Sequence, residues 1–104
     1  VYFATGSATL TPDAQHELRW FVEKMQPYPQ AQILAQGFAD STGTEARNTA
    51  LSEERAGAVK AYLASQGLAA PRITAQGFGI QSPAASNASA KGRRDNRRVE
   101  VTVR

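Results

Sequence analysis

Apolar positions along this chain recur at two periods. Ala14, Leu18, Phe21, Val22 and Met25 stand at i, i+4, i+7, i+8 and i+11, which is one face of a helix. Thr11-Pro12-Asp13 gives that helix a hydroxyl cap, a proline at its first position and an acid beside the positive end of its dipole. "PYP" at 27–29 stops it. Near the other end, Val99, Val101 and Val103 alternate with Glu100, Thr102 and Arg104, the pattern of a half-buried strand. "VYF" at the start, 31–39 and 73–79 read as three further strands. A helix of about twenty residues, capped by Thr44 and ended by Gly67, separates the latter two. Residues 81–96 are rich in small residues and read as a long loop with at most one helical turn.

The order is β-α-β-α-β-loop-β. A helical crossover favours parallel pairing of the two strands it joins, and the final strand is expected to join antiparallel. The expected fold class is α+β, a two-layer βαβαβ-β sandwich with two main helices on one face of a four-stranded mixed sheet. The strands flanking the second helix nearly repeat: "ILAQGFAD" (33–40) and "ITAQGFGI" (73–80). Two matching strands do not make a repeat architecture, which needs three or more stacked units. The first copy ends in Asp40, a carboxylate at the carboxyl end of a strand, where ligands gather in open sheets. The second ends in Ile80, a residue suited to packing.

The second helix carries an unusual inner stripe. Asn48, Leu51, Arg55, Val59 and Tyr62 are spaced by 3, 4, 4 and 3, so Asn48, Arg55 and Tyr62 fall within about 20° of one line. An arginine on an apolar stripe needs a carboxylate, carbonyl groups or a ligand, because an unpaired buried guanidinium is very costly. Two readings follow. Asp40 and Arg55 form a partly buried ion pair that fixes the loop between them, or they receive the ammonium and carboxylate of a doubly charged ligand. Asn48, both donor and acceptor, then orients that ligand or merely caps loop carbonyls.

Composition narrows the chemistry. Zero cysteines exclude disulfides and thiolate metal sites, and the single His16, away from the apolar stripe, makes a histidine metal centre or catalytic dyad unsupported. No metal or cofactor is expected. Glu53 and Glu54 are consecutive, so they point about 100° apart and do not form an acid/base couple. "GFGIQ" and "GSATLT" lack the spacing and lysine of a phosphate loop. The formal charge of +3 is uneven: residues 1–90 carry six Lys/Arg against seven Asp/Glu, residues 91–104 six against two. The basic run at 91–98 raises nucleic acid or a protein as an alternative partner, but it has no interleaved aromatics for base stacking. Arg97 and Arg98 are expected to open the last strand pointing to opposite faces, one of them toward Asp40.

Gly37, Asp40, Gly43, Asn48, Leu51, Ser52, Arg55 and Ala56 match the spaced pattern G-x-x-D-x-x-G-x(4)-N-x-x-L-S-x-x-R-A, and Gly77, Gly79, Pro83, Gly92 and 96–100 ("NRRVE") continue the match. With these residues the chain resembles the OmpA-like C-terminal domain family over essentially its whole length. The resemblance implies non-catalytic, non-covalent binding of peptidoglycan through diaminopimelate of the stem peptide. It implies a clamp by Asp40 and Arg55, assisted by Asn48, Leu51 and Arg97, with Thr5, Gly6 and Ser7 forming a wall. Phe38-Ala39 before Asp40, and Ala4-Thr5-Gly6-Ser7 in the first loop, depart from the residues many relatives carry there. The expectation is one domain, residues 1–104, of a longer membrane-anchored or lipid-anchored protein. It would lie in the periplasm of a Gram-negative bacterium, tethered to the outer rather than the inner membrane. No nucleic acid and no direct membrane contact by the domain are expected, and dimerisation is left open. A family member that has lost its ligand is the remaining alternative.

Overall fold

A computed structural model describes residues 1–81 and 86–104, and Pro83 of the matched pattern lies outside the described residues. Helix α1 (Pro12–Met25) starts where Thr11 accepts a hydrogen bond from the Ala14 N–H, and it buries Ala14, Leu18, Val22 and Met25. Strand β1 (Ile33–Gly37) follows, then α2 (Glu45–Ser65), a 3₁₀ turn (Ala70–Arg72) and β2 (Ile73–Gly77). A short helix, α3 (Ala90–Asn96), leads into β3 (Val99–Val103).

The sheet order is β2-β1-β3, with β1 parallel to β2 and antiparallel to β3. The near-repeat is thus explained: Ile33 to Gly37 pair with Ile73 to Gly77, residue against identical position. One core joins Leu18, Val22 and Met25 of α1, Val59 and Leu63 of α2, and Ile33, Ala35, Ile73 and Val99 of the sheet. Among the described residues no helix is long and apolar enough to cross a membrane.

Three sequence expectations need correction. Among the described residues the sheet has three strands where four were expected: "VYF" contributes one bridge, Tyr2 to Arg98, and a bond from the Val99 N–H to the Val1 carbonyl. The chain turns away after Phe3, because the next carbonyls are needed elsewhere, as described below. Part of the expected loop is α3, capped by Ser89, whose hydroxyl accepts from the Gly92 N–H. Ile80 is not a packing residue, being 41% exposed.

Gly37 decides how closely α2 lies on the sheet. A Cβ there would overlap the Ser52 carbonyl, and one at Gly77 would crowd Glu53 and the Ser52 hydroxyl. Ser52, fully buried, uses that closeness: its hydroxyl accepts from the Gly79 N–H at 2.8 Å and donates to the Thr49 carbonyl at 2.7 Å. The carboxyl end of β1 is thereby pinned against the first turns of α2.

Candidate functional site

Past Gly37, the chain runs through Phe38 and Ala39 to Asp40 and then turns. One Asp40 oxygen accepts the Thr42 N–H at 2.8 Å, a local turn that Asp favours by bonding its own backbone two residues on. Gly43 takes φ +89°, and Thr44 caps α2 by accepting from the Arg47 N–H at 3.1 Å. The other Asp40 oxygen accepts from Arg97 Nη1 at 3.1 Å, in a pair that is largely shielded from solvent. Burial works to raise the Asp40 pKa. The Thr42 N–H, the Arg97 guanidinium and the Thr42 hydroxyl overcome it and hold the carboxyl below its ordinary value.

Arg55 does not pair with Asp40. It is 0% exposed, and it donates from Nε to the Ser7 carbonyl (2.8 Å), from Nη1 to Phe38 (3.0 Å) and from Nη2 to Ala4 (3.1 Å). Of the three partners that an inward arginine was expected to need, carbonyl groups are the ones it found. Those bonds draw residues 4–7 onto α2 and explain why the first segment leaves the sheet. Its guanidinium also lies 5.3 Å from the centre of the Phe3 ring. Burial lowers its pKa to about 10, with the Asp40 charge acting in the opposite direction. Arg55 therefore stays cationic at neutral pH, and two of its five N–H groups have no partner among the described residues.

A cleft of about 200 Å³ lies over these groups, lined by Thr5, Gly6, Asp40, Thr42, Gly43, Arg47, Asn48, Leu51 and Arg55. Six of the eight sequence-derived site residues meet there: Asp40, Arg55, Asn48, Leu51, Thr5 and Gly6. Ser7 and Arg97 do not line it. The Ser7 hydroxyl accepts from the Thr9 N–H, its carbonyl accepts from Arg55, and Arg97 stands behind Asp40. Arg97 Nε also donates to the Phe3 carbonyl at 2.8 Å, so one side chain braces both Asp40 and the first segment.

Asn48 is 4% exposed, and its side-chain amide has no hydrogen-bond partner among the described residues. The expectation that it caps loop carbonyls is not met. The amide is open to the cleft and not sealed in the core, so its donor and acceptor capacity is available to whatever enters. Leu51 supplies an apolar wall beside it. Thr42, Gly43 and Arg47 were not among the sequence-derived site residues. The signal for Arg47 is its place three residues after the Thr44 cap, at the mouth of the loop that Asp40 opens.

Three of the five cations in the basic run are committed within the fold, while Lys91 and Arg94 are exposed. Arg93 donates to the Asn87 carbonyl, Arg97 is committed as above, and Arg98 pairs with Glu100 at 2.7 Å and lies 3.9 Å from the centre of the Phe38 ring. Arg98 enters through the Tyr2 bridge and β3 begins at Val99, two residues later than expected.

Comparison with known proteins bears on the family and the fold. The chain is 41% identical over 103 residues to the probable lipoprotein YiaD of Escherichia coli, covering 99% of this chain and 47% of that protein. It is 38% identical to the peptidoglycan-binding protein ArfA of Mycobacterium tuberculosis, covering 99% of this chain and 32% of that one. The chain thus spans about half or less of these relatives. The crystal structure of the peptidoglycan-associated lipoprotein from Burkholderia pseudomallei superposes with a TM-score of 0.94 at 30% identity, over 100% of this chain and 88% of that one. With the OmpA family pattern matched across residues 2–97, on a fold shared nearly in full with such a lipoprotein, this chain belongs to the OmpA family.

Proposed function

We propose that this domain binds peptidoglycan without covalent chemistry, through the diaminopimelate of the stem peptide, and so anchors a longer protein to the cell wall. The observation that carries the reading is the meeting of three groups in one cleft: a carboxylate, a guanidinium and the Asn48 amide, which has no protein hydrogen bond among the described residues and is open to the cleft. A carboxylate offers about four acceptor positions, so Asp40 retains room for a ligand ammonium beside Thr42 and Arg97. The Arg55 guanidinium, closed to solvent at the floor of the cleft, draws the ligand carboxylate by its charge, Asn48 bonds the ligand directly, and Leu51 packs on the methylene chain. Arg97 holds Asp40 in place, and Thr5 and Gly6 close the wall with Ser7 behind them. The role is that of a binding module, in keeping with the names of ArfA and of the Burkholderia lipoprotein. Residues 1–104 act as one domain in the periplasm, tethered to the outer membrane through the rest of the protein. An outer membrane protein A from Bordetella avium, 42% identical over 102 residues, fits that placement.

Co-sedimentation with purified sacculi tests the reading. Wild type pellets with the wall, Asp40→Asn stays in the supernatant, and free diaminopimelate competes while lysine, which lacks the second carboxylate, does not. Equal pelleting by Asp40→Asn, or equal competition by lysine, sinks it. Arg55→Ala is the poorer probe, because it also strips three carbonyls of their donor.

A further inference from the structure

Arg47 stands on the rim of the same cleft with 51% of its side chain exposed. Neither of its contacts is short. Nη2 is 3.5 Å from the Gly6 carbonyl, and Nη1 is 3.6 Å from a Glu54 oxygen two helical turns away. Exposed contacts of that length hold a long side chain only weakly. Arg55 and Arg97 are the opposite case, each fixed by bonds of 2.8 to 3.1 Å.

The charge count around the cleft is also uneven. Three guanidiniums (Arg47, Arg55, Arg97) stand against one carboxylate, Asp40, which Arg97 already pairs. Glu54 does not line the cleft and draws Arg47 along the outside of α2. A ligand bringing one ammonium and one carboxylate leaves that excess as it is, whereas a second carboxylate cancels part of it.

We propose that Arg47 is a specificity-determining residue of this site, one that leaves Glu54 and closes on a second carboxylate of the bound peptide. The site then prefers stem peptides with more carboxylates than ammonium groups. This rests on the peptidoglycan reading above and adds to it which form of the peptide is chosen. A planar guanidinium suits the task because it meets a carboxylate with two parallel bonds. Glu54 acts as a competitor that holds Arg47 in the free protein.

The test is calorimetric titration with an N-acetylated tripeptide, alanine, γ-linked glutamate and diaminopimelate, whose main-chain carboxyl terminus is amidated throughout, so that the glutamate α-carboxylate, either free or amidated, is the one second carboxylate that varies. Wild type binds the free form about two- to fivefold more tightly, the scale of one partly exposed charge pair. Arg47→Gln loses that preference, binding the free and the amidated forms with equal affinity. Glu54→Gln strengthens binding of the free form, a gain that a merely structural role for Arg47 does not produce. If Arg47→Gln keeps the full preference while Asp40→Asn abolishes binding, the Arg47 assignment is wrong and the peptidoglycan reading stands. If wild type binds neither tripeptide nor sacculi, both fall.

Discussion

Asp40 and Arg55 line one cleft yet each is held by something else, Asp40 by Arg97 and Thr42, Arg55 by three carbonyls. The consequence for Asp40 is a pH dependence with a definite sign. Its folded pKa lies below the unfolded value of about 3.9, so its contribution is complete above that value and is lost as pH falls through the folded one. Asp40→Asn is expected to cost about 1–2 kcal/mol at pH 7, with the gap to wild type closing in denaturant titrations as pH falls through the lowered folded-state pKa. Arg55→Met removes three charge-assisted bonds at once and leaves buried carbonyls without donors. It should cost about 3 kcal/mol or more by the same measurement, where a surface arginine costs almost nothing. Both residues were legible as candidates because a charge on an inner stripe or at a strand end needs a reason. Their partners were not legible, since Ala4, Ser7 and Phe38 act through carbonyls that every residue possesses.

At the scale of elements, α1 and α2 were legible because each announces its start with a hydroxyl cap and buries a stripe at helical spacing. Thr44→Ala should cost about 1 kcal/mol, the ordinary worth of such a cap, and should weaken ligand binding as well, since the cap shapes the turn after Asp40. The approach of α2 to β1 depends on Gly37. Gly37→Ala is expected to destabilise by about 3 kcal/mol in thermal or denaturant melts, because the Ser52 carbonyl it meets is backbone and has no rotamer in which to escape. If that variant melts with wild type, the contact between α2 and β1 is looser than described here. Helix α3 was illegible for a physical reason: seven residues offer too few turns for a period to show. It buries only Gly92 and Asn96, neither of which reads as a core residue in sequence.

At the scale of the molecule, the cleft is assembled from segments far apart in the chain, with Arg55 reaching back 51 positions to Ala4 and Arg97 reaching 57 to Asp40. Such a site exists only while the core beneath it is packed. Leu63→Ala, at a position with 0% exposure and remote from the cleft, should cost about 2–5 kcal/mol. Peptide binding and helical signal should then disappear in one shared transition on heating. Separate transitions would mean that the site and the core do not fold as a unit. The sequence by itself determined the α+β class, both long helices, the pairing sense of the strands and, of the charges around Asp40, Arg55 and Arg97 but not Arg47. It did so because periodicity, caps and a misplaced charge are local properties that each segment states alone. Only the tertiary structure decided that "VYF" makes a single bridge instead of a strand, that Arg97 holds Asp40, that Arg55 spends its bonds on carbonyls, and that Asn48 faces the cleft unpaired. Those outcomes depend on which backbone groups distant segments bring within three ångströms of one another. No spacing along the chain encodes that.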